Sequence, residues 1–192
     1  MRRLSSVALL SFFLFACQKN VDLQNQGDVN PVIETAAKAA GDAGAYYVKV
    51  TSGKTVETYQ FNTSAFLGDA GTAKSLVLQA SANADDPKQE SIHLYLSFLS
   101  GSPAVGTYKQ NDPSYKYLVS GSYKPAGDKL TYSAGLSPVT EVPLTITISS
   151  IENGVIKGTF KGAFYKHDLS TGIMSDTEFI NYREGEFNLP IY

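Results

Sequence analysis

Ile92, Leu94, Leu96 and Phe98 alternate without a break with His93, Tyr95 and Ser97. A period of two puts four large apolar side chains on one face of a β-strand, whereas a helix would scatter them around its circumference. The same alternation recurs along the chain. Tyr46, Val48 and Val50 alternate with Tyr47, Lys49 and Thr51, and after Ser52-Gly53-Lys54 a return strand runs from Val56 to Phe61. Leu76, Leu78 and Ala80 alternate with Val77 and Gln79, as Leu144, Ile146 and Ile148 do with Thr145, Thr147 and Ser149. Glu152-Asn153-Gly154 is the strongest turn signal, because Asn-Gly accepts the positive φ of a type I′ hairpin. Beyond it, Ile156, Phe160 and Phe164 share a face. Gly158 and Gly162 between them would let the sheet curl around Phe160. Glu184 to Tyr192 reads as the last strand, with Phe187, Leu189 and Ile191 inward. The pattern predicts an all-β fold, an antiparallel β-sandwich or flattened barrel of about nine to ten strands.

One short helix is predicted ahead of these strands. Asn30 is its N-cap, Pro31 its first position, Glu34 lies in the first turn and Gly41 stops it, with Ile33, Ala36, Ala37 and Ala40 on one face. Further upstream, Arg2 and Arg3 precede an apolar run from Leu4 to Phe15, then Ala16 and Cys17. That run is about a dozen residues, against roughly 20 for a membrane-spanning helix, so it reads as an export signal cut before Cys17. Gln18 to Gly27 is polar and suits a tether. The organisation is therefore a signal peptide over 1–16, a cysteine, tether and helix over 17–44, and a single β-domain over 45–192. A globular part of about 150 residues buries roughly 70% of its unfolded surface, which suffices for independent folding. Cys17 is the one cysteine, so neither an intramolecular disulfide nor a thiolate metal cluster can form.

Four short motifs follow one another in the β-region: Gly106-Thr107-Tyr108, Leu144-Thr145-Ile146-Thr147-Ile148, Gly158-Thr159-Phe160 and Gly185-Glu186-Phe187. Their order resembles that of small, largely uncharacterised all-β lipoproteins of Bacteroidota, over about Ala45 to Tyr192. The arrangement of Arg2-Arg3, the apolar run, Ala16 and Cys17 itself resembles a bacterial lipoprotein signal, which implies that Cys17 carries lipid and holds the protein in the cell envelope as an outer membrane lipoprotein. The resemblance in motif order brings no catalytic residue with it. Those proteins tend to show Thr-Asn-Gly-x-Phe near the C-terminus, where this chain has Tyr182-Arg183-Glu184-Gly185-Glu186-Phe187. Gln18-Lys19 followed by Asp22 partly resembles the surface-export signal of that phylum, with Asn20 and Val21 where acids are expected. A periplasmic and a surface-facing domain therefore both remain open.

Sixteen basic and eighteen acidic residues give a formal charge of −2 with no basic stripe, which argues against a nucleic-acid partner. His93 and His167 are far apart and lack the short ligand spacing of a zinc site, and His93 reads as a surface residue beside Tyr95. No Gly-x-Ser-x-Gly elbow occurs, and Ser120-Gly121-Ser122 falls in a tyrosine-rich strand. Asn83, Asp85, Asp86 and Glu90 form an acidic loop. Within it Asp85, Asp86 and Glu90 are calcium candidates, although turn propensity also explains Asp-Asp-Pro. Asp168, Asp176 and Glu178 fall in a second polar loop with the same two explanations.

Tyrosine is in excess, twelve with no tryptophan. Tyr115, Tyr117 and Tyr123 share a face with Val119 and Gly121. That face is either a binding surface for a glycan or protein partner, or a set of half-buried rings covering a sheet. No cofactor is indicated and no enzyme motif is present. The leading expectation is a lipid-anchored, non-catalytic domain for binding or envelope assembly. The alternatives are a ligand-binding module for glycans or small hydrophobic molecules, and a hydrolase whose site is assembled from distant loops.

Overall fold

Each alternating segment becomes a strand. A computed structural model describes residues 45–70, 73–84, 90–127, 130–135 and 142–192; among them eleven strands form one antiparallel sheet, with no helix. In chain order these are β1 (Tyr47–Ser52), β2 (Thr55–Tyr59), β3 (Phe61–Ala70), β4 (Ala73–Ser81), β5 (Ser91–Phe98) and β6 (Gly106–Lys109). They continue as β7 (Tyr117–Lys124), β8 (Thr131–Ala134), β9 (Thr145–Glu152), β10 (Val155–Asp168) and β11 (Ile173–Pro190). The main path runs β2-β1-β11-β10-β8-β7-β5-β4-β3, and β9 branches from β10 with β6 along its outer edge. The all-β expectation holds. The short helix expected over Asn30 to Gly41 lies outside the described residues, as do Cys17 and the tether.

The β9–β10 turn forms as its Asn-Gly requires, with Asn153 at φ 52° and Gly154 at φ 71°. From there β10 and β11 run antiparallel as the longest pair in the sheet. Their register sets Gly158 opposite Phe187, Thr159 opposite Glu186 and Phe160 opposite Gly185. Each phenylalanine therefore lies over the other strand's glycine. A Cβ at Gly158 would come 2.5 Å from Phe187 Cζ, and one at Gly185 would come 2.5 Å from Phe160 Cζ. The bare backbone is the space into which each ring packs.

The sheet forks just beyond this pair. Val155 to Lys161 of β10 pairs with β9, whereas Tyr165 to His167 pairs with β8, and the β10–β11 register slips between Phe160 and Gly162. At the fork Gly162 has no room for a side chain, since its Cβ would sit 2.6 Å from Leu144 Cα. The freed backbone groups are taken up locally. Ala163 N donates to Val142 O at 3.1 Å, Gln110 N donates to Leu144 O at 2.8 Å, and Leu144 N donates to Gln110 Oε1 at 3.0 Å.

The two end strands of the main path, β2 and β3, follow each other in the chain. Only Gln60 separates β2 from β3, and Asn62 turns the chain with φ 49°. Ile191 makes a parallel bridge to Ala65, where Tyr192 N donates to Ala65 O at 3.0 Å. One core is formed by Val48, Val50, Tyr59, Leu76, Leu78, Ile92, Leu94, Leu96, Ile146, Ile148, Phe160, Phe164, Tyr182 and Phe187.

Two readings of the sequence need correction. The last strand begins at Ile173, well before Glu184, and Asp176 and Glu178 therefore lie within β11 and Asp168 closes β10. No alternation marks this stretch because Asp176 to Phe179 are all exposed and the pairing slips between Tyr165 and His167. Lys166 Nζ instead ties Glu178 at 2.6 Å, and Tyr165 packs on Phe179 at 5.4 Å.

The reciprocal glycine–phenylalanine pair makes a prediction. Gly185→Ala should destabilise the fold by about 1–3 kcal/mol in denaturant unfolding, because the added methyl overpacks a filled site. In a Phe160→Leu background the same change should cost clearly less, and equal costs in both backgrounds would refute the pairing.

Candidate functional site

A cleft of about 350 Å³ is lined by Leu67, Gly68, Asp69, Lys74, Ser102, Pro103, Ile151, Ile156 and Ile191. Four segments build it, one of them the β5–β6 connection with Ser102 and Pro103. The β3–β4 hairpin gives Leu67, Asp69 and Lys74, the β9–β10 hairpin gives Ile151 and Ile156, and the bridge after β11 gives Ile191. Ile191 is pinned by its N–H to Gly154 O at 2.8 Å. Pro103 is held by its neighbour Ala104, which donates to the Tyr108 hydroxyl at 3.2 Å and accepts from it at 2.8 Å. Ile156 is buried and forms the floor, while Leu67 is half open to solvent. At the rim Lys74 Nζ stands 3.9 Å from Asp69, its cross-strand neighbour. The arrangement can hold an apolar body of small-molecule size with one charged pair at its mouth.

A second cluster links strands that are distant along the sheet. Glu90, immediately before β5, accepts hydrogen bonds through Oε1 from Tyr59 at 2.8 Å and from Tyr123 at 2.5 Å. The Tyr59 hydroxyl also lies 3.0 Å from Glu57 Oε2, and its single proton serves one carboxylate at a time. Tyr182 of β11 meets Tyr123 edge-on at 6.0 Å and Phe164 at 5.3 Å. Burial holds the phenols of Tyr59, Tyr123 and Tyr182 well above the ordinary tyrosine range, and the nearby Glu90 adds to this. β2, β5, β7 and β11 are thereby joined across the core.

The residues singled out in sequence disperse. Of the calcium candidates, Glu90 belongs to the tyrosine cluster, and Asp85 and Asp86 lie outside the described residues. No group of three or more histidine, cysteine or acidic side chains is placed to hold a metal among the described residues. β7 does set Tyr117 and Tyr123 on one face, but that face is the core. Tyr123 is buried and Tyr117 packs edge-on against Tyr108 at 5.1 Å. Tyr115 is 73% exposed in the preceding turn, at φ 52°. The three rings do not form a common surface.

His93 is half-buried rather than fully at the surface, stacked on Tyr95 at 6.2 Å, and burial holds its ring below the usual histidine range. His167 Nδ1 lies 3.3 Å from Ser133 Oγ. Ser133 is only 4% exposed, and no carboxylate is bonded to the His167 ring among the described residues. The cleft itself escaped the sequence, with one signal available: Ile151 is an apolar residue out of step with Ile146 and Ile148. A register slip at Lys157/Gly158 brings Ile151 opposite Ile156.

No protein-family model, curated protein or solved structure matches this chain.

The tyrosine cluster fixes an alkaline limit. The folded phenols hold their protons above pH 10, where unfolded tyrosines lose theirs. Their contribution to stability is therefore complete below pH 10 and declines as pH rises above it. Tyrosinate absorbance should show a late step coincident with unfolding. Tyr123→Phe should shrink that step, and an unchanged step would rule the cluster out as its source. Glu90→Ala, which strands the Tyr123 hydroxyl and leaves Tyr59 to Glu57, should cost about 1–3 kcal/mol in thermal unfolding, and Glu90→Gln less.

Proposed function

We propose that this chain is a lipid-anchored lipoprotein of a bacterial cell envelope, whose β-domain binds rather than catalyses. The observation that carries the proposal is Cys17, the single cysteine, placed directly after Leu14-Phe15-Ala16 at the end of a short apolar run. On this reading residues 1–16 are removed, Cys17 is lipidated, and 45–192 stand off the outer membrane on a polar tether. The resemblance to Bacteroidota lipoproteins in motif order supports the same assignment. One acyl chain binds a membrane only marginally, and the several chains of a lipoprotein cysteine anchor it firmly. The domain belongs to the flattened-barrel type on this reading. β2 passes into β3 through one residue, and Tyr59 reaches Glu90 across the core.

A second reading, a module for small hydrophobic molecules, is favoured by the cleft over Ile156. A preformed apolar hollow with few polar groups is the usual form of a small-molecule site. A glycan partner has less support, because the tyrosine face expected to serve it is turned into the core.

Cys17→Ala should abolish incorporation of labelled fatty acid and release the protein from the membrane fraction, or leave it unprocessed. A variant processed and retained like the wild type would sink the anchoring proposal. Protease added to intact cells should digest the domain if it faces outward and spare it if it is periplasmic.

A further inference from the structure

We propose that the cleft takes a small amphipathic acid, an aliphatic chain ended by a carboxylate, with the chain on Ile151, Ile156 and Ile191 and the carboxylate at Lys74. This rests on the ligand-binding reading above and names its ligand class. The floor and walls are aliphatic, and three of the side chains are β-branched isoleucines with restricted χ1, so the hollow exists before a ligand enters. Its volume of about 350 Å³ falls at the small end of known ligand sites, roughly 300–1,000 Å³. That suits a single short chain better than a fused ring system.

The head group is set by the rim. Lys74 is the one cation of the lining, and its ammonium stands 3.9 Å from Asp69, beyond the 2.7–3.2 Å of a hydrogen bond. An ammonium has three donors, and this spacing leaves them for an incoming carboxylate. Asp69 is the more exposed member of the pair, 65% against 41%, so its charge is better screened by water. The lysine stem can follow the apolar wall and deliver its head at the mouth. An aliphatic acid matches both parts of the site at once.

The test is calorimetric titration of the full chain carrying Cys17→Ala, which keeps anchor lipid away from the cleft, with octanoate, octanol and octylamine. Octanoate should bind more tightly than the other two. Lys74→Gln should weaken octanoate about fivefold and leave octanol unchanged, the size expected of one exposed ion pair. Leu67→Trp, at a half-exposed wall position, should fill the hollow and remove binding of all three. Binding lost in Leu67→Trp, but with no preference for octanoate or no effect of Lys74→Gln, would overturn the acid assignment and leave the ligand-binding reading standing. A preference for octylamine would overturn the assignment too. No binding of any probe would overturn both.

Discussion

The reciprocal pairing of Gly158 with Phe187 and of Phe160 with Gly185 is the contact on which the rest of this fold depends. Glycine within a strand weakens it, because it brings no side chain and loses more backbone freedom on folding. Here the loss is offset because each gap admits a whole phenylalanine ring, and burying one ring contributes roughly 1.5–3 kcal/mol. The pairing fixes the register of β10 on β11, since a slip of one residue would turn both rings away from the core. Every neighbouring assignment follows from that register. β1 docks on the far side of β11, β9 docks on the first half of β10, and the slip at Gly162 sends the second half of β10 to β8.

A sheet that branches in this way also needs ties between strands that are not neighbours. The polar cluster around Glu90 supplies them with directional bonds instead of additional apolar area. Glu90 is half-buried, and its Oε1 accepts charge-assisted bonds from the Tyr59 and Tyr123 hydroxyls, which are stronger than neutral ones. Because Tyr59 comes from β2 and Tyr123 from β7, the same bonds hold together strands that are distant along the sheet path. The C-terminal residues add a second tie through Ile191 and Tyr192 to Gly154 and Ala65. The cleft opens at this second tie, so its shape depends on those contacts being intact.

Much of this was legible in the chain. The alternation of Ile92 to Phe98, the Asn153-Gly154 turn and the inward set Ile146, Ile148, Ile156 and Phe160 all stand as the sequence indicates. The order of the two Gly-x-Phe motifs was visible too, but not that they pair with each other, because a sequence pattern carries no partner information. Period two shows that Tyr117 and Tyr123 share a face without saying whether that face meets water or core, and only the cross-sheet packing of Tyr182 decides it. The first half of β11 was illegible for the opposite reason. Both its faces are open to solvent around Asp176 to Phe179, so no alternation was required of it. The cleft draws on Leu67, Pro103, Ile151 and Ile191, residues with no local relation, and such a constellation exists only in the folded sheet.

Ile156 links the two halves of this account. It stands opposite Ile151 within the β9–β10 hairpin, belongs to the buried core and forms the floor of the cleft. A ligand seated there would complete the packing on the open side of a core residue, so binding and folding would draw on the same contacts. Anything that binds only the folded state stabilises it by about 2.7 kcal/mol at a hundredfold excess over Kd. That is a sizeable share of a typical domain's 5–15 kcal/mol. A ligand in this cleft would thus stabilise a β-domain whose single cysteine permits no intramolecular disulfide.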